Sequence, residues 1–311
     1  MGGFSEIGSR QSRSVTVLAV GGTGESFDGD RRRDVTGMLR GVTDCLDDRF
    51  DCRWVGYPAS YGPAPHIGGI SYRRSLDTGA RALHAALQQS EGPVVLIGYS
   101  QGAVVIRAAL HELEDAADPV LDRVLAVGFV ADPHQPPGVV PGCSGWGVAG
   151  QGPTLPATVP VHWVGTPEDM ICNATADSFL RDVADLTAGF AVGRVRSWLS
   201  QTWNILRHNA FQNAQRTSPG FTQVVRDVGR LWSAALEVLG YLPGTLAWRG
   251  LVLRNHRGGR HTSYAREPYR RGSWTDPDTT GCEALAAWLQ VCATFSGVGC
   301  SRTSGDVAFA A

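Results

Sequence analysis

The chain has 311 residues, of which 43% are hydrophobic, so it can bury a large core as one or two domains. Its formal charge of −1 argues against a protein that binds nucleic acid through an overall positive charge, and against a polybasic membrane binder. All 28 Lys+Arg positions are arginine. This excludes a P-loop, a pyridoxal Schiff base and a Ser–Lys dyad, and we expect no cofactor.

The seven cysteines show neither a CxxC pair nor a His–xxx–His partner, so we expect no metal site and interpret them mostly as small buried hydrophobic residues: Cys45, Cys52, Cys143, Cys172, Cys282, Cys292 and Cys300. The N-terminal sequence MGGFSE lacks the apolar run of a secretory signal. The most apolar long stretch, 231–248, is interrupted by Glu237 and Pro243. We therefore expect neither a signal peptide nor a transmembrane segment.

Short apolar runs alternate with helical patterns through the first half of the chain. In chain order, the sequence predicts a strand at 15–20, a helix at 34–46, a strand at 53–57, a helix at 71–89, a strand at 94–98, a helix at 102–113, and strands at 124–131 and 161–165. Continuous apolar strands separated by helices predict an α/β fold, with a parallel sheet covered on both faces.

The pattern then changes to helical periodicity between residues 176 and 249. Ser218 and Pro219 form an N-cap followed by proline at the first helical position, and that helix ends near Gly240. A last helix is predicted at about 282–292. We expect one catalytic domain formed by 1–175 and 250–311, with a helical insertion at 176–249.

Gly98-Tyr99-Ser100-Gln101-Gly102 is a GxSxG pentapeptide placed directly between an apolar strand and a small-residue helix. That context predicts a nucleophile elbow, with the Ser100 hydroxyl raised over the sheet and the Gln101 N–H facing the same space. The alternative is an ordinary glycine-rich strand-to-helix turn. The elbow indicates an α/β-hydrolase fold.

A serine nucleophile needs an acid and a base, which follow it in this order in such folds. Asp169 follows the second strand after the nucleophile strand, and Asp132 follows the first, so the usual geometry favours Asp169. Glu168 is a neighbouring alternative. In the non-catalytic interpretation, these carboxylates stabilise a turn or cap a helix.

Only two histidines, His256 and His261, follow both candidate acids and the insertion. Either could be a solvated loop residue. We favour His261 as the base, because Tyr264, three residues on, offers packing support for its ring.

The second donor of an oxyanion hole is expected in the loop after the first strand. The loop Gly21–Glu25 (GGTGE) provides Thr23 as the candidate, together with the N–H of Gln101. A phosphate-binding loop is the rival interpretation, but no lysine follows it.

Five segments, GGTGES (21–26), YPASYG (57–62), GYSQGA (98–103), PEDMIC (167–172) and HTSY (261–264), together resemble cutinase-like serine esterases. They are most similar to lysin B of bacteriophages that infect mycolic-acid-bearing actinobacteria. The resemblance covers roughly residues 15–175 and 250–270. It implies that the catalytic triad is Ser100, Asp169 and His261.

The resemblance also implies hydrolysis of the ester between mycolic acids and arabinogalactan, with activity on simpler lipid and p-nitrophenyl esters. It implies a protein made in the host cytoplasm that reaches the envelope through phage-made membrane lesions. The alternatives are a cellular cutinase or PE–PPE-type esterase or acyltransferase, and a non-catalytic cell-wall-binding protein on the same fold.

The predicted insertion is rich in aromatic residues. Packing against the α/β core is one interpretation of its apolar stripe. The other is that aromatics of the insertion contact a long acyl chain, the candidates being Phe190, Trp198, Trp203 and Trp232.

Overall fold

A computed structural model of the chain describes residues 14–62, 65, 68–175, 178, 181, 245–248, 251–254, 259–269 and 274–296. Most of the predicted insertion at 176–249 therefore lies outside the described residues, and its helical character stays a prediction. In the part of the chain that is described, no helix is long and apolar enough to cross a membrane.

The core is a five-stranded, fully parallel sheet with the strand order β2-β1-β3-β4-β5, as predicted for an α/β fold. The strands are β1 (Val15–Val20), β2 (Phe50–Trp54), β3 (Val94–Tyr99), β4 (Val124–Val130) and β5 (Val161–Val164). After β1, the chain adds β2 on one side of β1 and then adds β3, β4 and β5 in turn on the other side. The carboxyl ends of β1 and β3 therefore flank a topological switch point, where sheets of this kind form their sites.

Helices cover both faces of the sheet. One face packs against α2 (Tyr72–Gln89) and α3 (Gln101–Asp115), with Leu83, Leu96 and Ile106 fully buried between them. The other face packs against α1 (Arg40–Thr43) and α4 (Gly281–Phe295). A capping box begins α4, because the Thr280 hydroxyl accepts from the Glu283 N–H while the Glu283 carboxylate accepts from the Thr280 N–H.

Three features differ from the sequence prediction. The predicted helix at 34–46 is reduced to a 3-10 turn at Gly37–Leu39 followed by the single turn of α1, since Gly37 has a φ of 65° outside the helical region. β2 begins three residues before its predicted start, because it is an edge strand whose residues alternate between exposed and half-buried positions rather than forming an apolar run. An antiparallel pair, β6 (Thr245–Trp248) and β7 (Leu251–Arg254), was not predicted.

The cysteines follow the sequence expectation only in part. Cys143, Cys172 and Cys282 are buried, whereas Cys45 is exposed and Cys52 is half-buried. All six described cysteines are free thiols.

Candidate active site

Ser100 occupies the sharp turn between β3 and α3, with φ 51° and ψ −116°. Two glycines make this turn possible. A Cβ at Gly98 would lie 2.8 Å from the Ala103 backbone, and a Cβ at Gly102 would collide with the carbonyl oxygen of Val20. A strained serine between a parallel strand and a helix is the nucleophile-elbow arrangement of α/β hydrolases.

The structure brings Ser100, His261 and Asp169 into one hydrogen-bonded chain. The Ser100 Oγ lies 3.0 Å from His261 Nε2, and His261 Nδ1 lies 2.9 Å from Asp169 Oδ2. Ser100 is half-buried, while the histidine and the aspartate are 7% and 1% exposed. The serine is therefore the member of the chain that a substrate can reach.

Backbone and ring contacts fix His261 in place. It lies in a 3-10 turn, Arg260–Thr262, entered through Gly259 in the left-handed region. Its ring stacks on Tyr99, with centroids 5.1 Å apart, and the Tyr99 hydroxyl donates to the His261 carbonyl at 2.8 Å. The supporting ring is thus Tyr99 from β3, and not Tyr264 as the sequence suggested.

Tyr264 supports the acid instead. Its hydroxyl donates to Asp169 Oδ2 at 2.7 Å, and the Ile171 N–H donates to Asp169 Oδ1 at 3.0 Å. Burial raises the pKa of Asp169. The charge of His261 and the hydrogen bonds outweigh that effect and hold this pKa below its usual value. Asp169 thus stays ionised although it is buried.

The two alternative acids, Asp132 and Glu168, form hydrogen bonds with residues other than His261. Asp132 is fully buried, and its Oδ2 accepts from Arg107 Nη2 at 2.7 Å and from Trp163 Nε1 at 3.0 Å. Glu168 is exposed and accepts from the Thr166 hydroxyl. His256, the alternative base, lies outside the described residues.

The two predicted oxyanion residues lie together beside the serine. The Thr23 hydroxyl donates to Gln101 Oε1 at 2.9 Å, and Gln101 Nε2 donates to the Ser60 carbonyl at 3.1 Å. A Cβ at Gly22 would lie only 3.3 Å from the Ser100 Cβ, so the loop after β1 passes directly against the nucleophile. The N–H of Gln101, in the first turn of α3, has no partner within the helix.

Glu25 is a component of the site that the sequence analysis missed. Its Oε2 accepts from the Gly22 N–H and its Oε1 from the Met38 N–H, each at 2.8 Å, which fixes the loop that carries Thr23. Burial raises the pKa of Glu25, and the two backbone hydrogen bonds and the charge of His261 offset this only in part. A glutamate inside the GGTGES segment, directly after the loop glycines, was the available signal.

The proposed lipid-contact residues Phe190, Trp198, Trp203 and Trp232 all lie outside the described residues, so their role stays a prediction. Within the described ranges, no group of three or more His, Cys, Asp or Glu side chains could hold a metal ion.

Residues 50–172 match the family model of the PE-PPE domain. This segment contains Ser100 and Asp169, but neither Thr23 nor His261. No curated protein matches the chain.

Several solved structures are similar to the chain. A cutinase-like protein from Cryptococcus sp. is 17% identical, with 62% of this chain and 95% of that one covered and a TM-score of 0.38. Trichoderma reesei cutinase, solved with a C11Y4 phosphonate inhibitor, is 19% identical over 62% of this chain and 76% of that one, with a TM-score of 0.32. An esterase/lipase from an uncultured bacterium is 15% identical, with a TM-score of 0.27, and the chain covers 38% of its length.

Proposed function

We propose that this protein is a serine esterase that hydrolyses lipid esters, with Ser100 as nucleophile, His261 as general base and Asp169 as the acid that orients it. The observation that carries the proposal is the chain of contacts at 3.0 and 2.9 Å from a strained, half-buried serine to a buried carboxylate. A non-catalytic binding protein has no need of this arrangement.

In the proposed reaction, Ser100 Oγ attacks the ester carbonyl carbon while its proton passes to His261 Nε2. The negative charge that develops on the carbonyl oxygen is stabilised by the backbone N–H groups of Gln101 and Thr23. The C–O bond to the alcohol breaks as His261 returns the proton to the departing oxygen, leaving an acyl-serine. Water then attacks the acyl-serine by the same steps, which frees the acid and restores Ser100.

The paired Asp169 contacts suit this chemistry. An ionised, buried carboxylate beside Nδ1 stabilises the imidazolium that forms when His261 takes the proton. Because the Tyr264 hydroxyl and the Ile171 N–H also donate to it, one to each oxygen, the carboxylate keeps one orientation.

For the substrate, we propose the ester between mycolic acids and arabinogalactan, in a protein that acts on the host cell envelope during phage lysis after synthesis in the host cytoplasm. The five sequence segments that resemble lysin B support this choice. Two of them, GGTGES and HTSY, lie outside the PE-PPE match and contain Thr23 and His261.

The PE-PPE match favours a second candidate, a cellular esterase or acyltransferase acting on a related lipid ester. The two candidates differ in the acceptor for the acyl group. A hydrolase gives it to water, whereas an acyltransferase gives it to a sugar or lipid hydroxyl.

The test is incubation of the protein with purified mycolyl-arabinogalactan, followed by mass spectrometry of the released lipid. We expect free mycolic acid from the natural protein and none from Ser100→Ala, while Ser144→Ala, a change at an exposed serine, keeps full activity. Transfer to an added sugar in preference to water would favour the second candidate. No turnover of cell-wall esters, with p-nitrophenyl butyrate still cleaved, would contradict the mycolyl substrate and keep the esterase.

A further inference from the structure

A polar cavity of about 260 Å³ lies between the loop that carries Asp169 and the segment that follows His261. Its described lining comes from residues 166–168, from the segment 260–269, and from Gly281 at the start of α4. The side chains of the proposed triad are not among these lining residues. The cavity is therefore a neighbour of the active site and separate from the reacting atoms.

Hydrogen bonds hold the walls of this cavity in place. The Cys282 N–H donates to the Tyr264 carbonyl at 3.0 Å, which ties the segment after the base to the first turn of α4. In the acid loop, the Asp169 N–H donates to the Thr166 carbonyl at 3.1 Å. The Tyr264 hydroxyl, bonded to Asp169 Oδ2 at 2.7 Å, joins the two walls. The cavity is thus preformed, as ligand sites in proteins usually are.

The lining places hydrogen-bond donors and acceptors side by side. The Arg260 guanidinium donates to the Glu267 carboxylate at 2.7 Å, and these side chains are 25% and 42% exposed, so a ligand can reach both. The Glu168 carboxylate accepts from the Thr166 hydroxyl. Hydroxyls of Ser263, Tyr264 and Tyr269 belong to residues of the same lining.

This lining is unsuited to several common classes of ligand. An acyl chain would displace water from charged groups without replacing the hydrogen bonds. Two carboxylates against one guanidinium disfavour an anion such as phosphate. Nowhere in the described ranges does a group of three or more His, Cys, Asp or Glu side chains offer a metal site. A neutral polyhydroxylated ligand fits, because each of its hydroxyls both donates and accepts.

The size and the position of the cavity narrow the ligand further. Pockets for drug-sized molecules measure about 300–1,000 Å³, so this slightly smaller cavity suits a single sugar ring. Glu168 directly precedes the proposed acid in the chain, and Arg260 directly precedes the proposed base. A sugar held by these two residues would lie beside both loops of the triad.

We propose that this cavity binds one sugar ring of the polysaccharide that carries the scissile ester. The inference rests on the proposed esterase function and adds to it a subsite for the carbohydrate part of the substrate. Glu267 accepts from the sugar hydroxyls and Arg260 donates to them. Pro167, Pro268 and Tyr269 give the C–H positions of the ring an apolar surface.

A subsite of this kind acts on substrate binding and not on the chemical step. Its contacts with the sugar are the same in the ground state and in the transition state, so losing them raises KM and leaves kcat little changed. An ester that lacks the polysaccharide makes none of these contacts.

The direct test uses short arabinogalactan oligosaccharides freed of mycolic acids by alkali, titrated calorimetrically into the full-length protein. We expect the natural and Ser100→Ala proteins to bind them equally. Glu267→Ala should weaken binding by about tenfold or more, because it removes charged hydrogen bonds. The matched control is Glu91→Ala, a change at an exposed glutamate just before β3, at the opposite edge of the sheet. It should bind like the natural protein.

The kinetic test compares two substrates. In the natural protein, the oligosaccharides should compete with mycolyl-arabinogalactan and leave the hydrolysis of p-nitrophenyl butyrate unchanged. Glu267→Ala should raise KM for mycolyl-arabinogalactan about tenfold with kcat within about twofold of parental. If the alanine protein does not fold, Glu267→Gln against Glu91→Gln makes the same comparison.

Three results would overturn the proposal: no oligosaccharide binding to the natural protein, binding that Glu267→Ala leaves unchanged, or an equal loss of activity on p-nitrophenyl butyrate in Glu267→Ala. Turnover of mycolyl-arabinogalactan without oligosaccharide binding would keep the esterase and remove the sugar subsite. Binding that depends on Glu267 would support the subsite even if the mycolyl ester is not hydrolysed.

Discussion

The hydroxyl of Tyr264 and the imidazole of His261 contact the same oxygen of Asp169, at 2.7 and 2.9 Å. These two donors, three residues apart in one HTSY segment, both contact the buried carboxylate. The segment therefore supplies both the proposed base and the group that orients its acid.

Replacing Tyr264 with Phe removes this donor and keeps the aromatic ring. A hydrogen bond to a charged group contributes about 1.5–3 kcal/mol, and we expect the free energy of unfolding at neutral pH to fall by about that amount. The bond lowers the pKa of Asp169, so its contribution is present above the unfolded pKa and is lost as pH falls through the folded pKa.

Urea unfolding of the two proteins at several pH values measures this difference. The difference in the free energy of unfolding between the natural and Tyr264→Phe proteins should narrow towards acidic pH. In an Asp169→Asn background, Tyr264→Phe should lower the free energy of unfolding much less. A gap that is the same at every pH, or additive with Asp169→Asn, would contradict the role of the bond.

The two buried aspartates should respond differently to the same substitution. Asp169→Asn should lower kcat by about 10⁴-fold, because the amide disturbs the tautomer and charge that the base needs. Asp132→Asn weakens the partner of buried Arg107 and should instead destabilise the fold by about 3–5 kcal/mol, with kcat of the folded protein near parental. Steady-state kinetics and urea unfolding, measured on both proteins, check this. The opposite pattern would move the acid role to Asp132.

Glu25→Gln tests the support of the oxyanion loop. The Gln amide group must face the N–H of Gly22 or Met38, which breaks one of two hydrogen bonds. We expect kcat to fall by about tenfold with KM little changed, less than the 10²–10³-fold cost of removing a direct oxyanion donor.

The pH profile gives an independent measure of Glu25. Burial raises the pKa of this carboxyl, so it takes up a proton at a higher pH than an exposed glutamate and then loses one acceptor for the loop. The natural protein should therefore lose kcat on the acidic side over a range that Glu25→Gln lacks. Identical profiles would contradict this role.

The insertion aromatics give a prediction about chain length. If Trp198, Trp203 and Trp232 contact an acyl tail, each Trp→Ala protein should lose tenfold or more on a C16 ester and keep its rate on a C4 ester. The reason is that each buried CH₂ contributes about 0.8 kcal/mol. Hydrolysis of p-nitrophenyl butyrate and palmitate separates the cases. Equal losses on both esters, or unfolded variants, would assign these residues to the core.

Local sequence was sufficient for the parts of the fold with unambiguous patterns. The apolar runs predicted β1, β3, β4 and β5 nearly to the residue, and the GxSxG context predicted the turn at Ser100. β2 was displaced because Asp51 and Arg53 sit on exposed positions of an edge strand, where no apolar run forms.

Long-range partners were harder to predict from the sequence. The ring that supports His261 is Tyr99, 162 positions away, whereas the sequence analysis chose the nearby Tyr264. The support of the oxyanion loop by Glu25 depends on the Met38 N–H, which comes close only because Gly37 breaks the predicted helix.

The central claim is that His261 activates Ser100, and a fluorophosphonate probe tests it most directly. Trypsin should release the labelled serine in the peptide 82–107, where Ser90 is a second serine and fragmentation must distinguish the two. We predict stoichiometric label on Ser100, none on the Ser100→Ala protein, labelling slowed by about 10³-fold or more in His261→Ala, and parental labelling in His256→Ala. Label on another serine, or unchanged labelling of His261→Ala, would contradict the account.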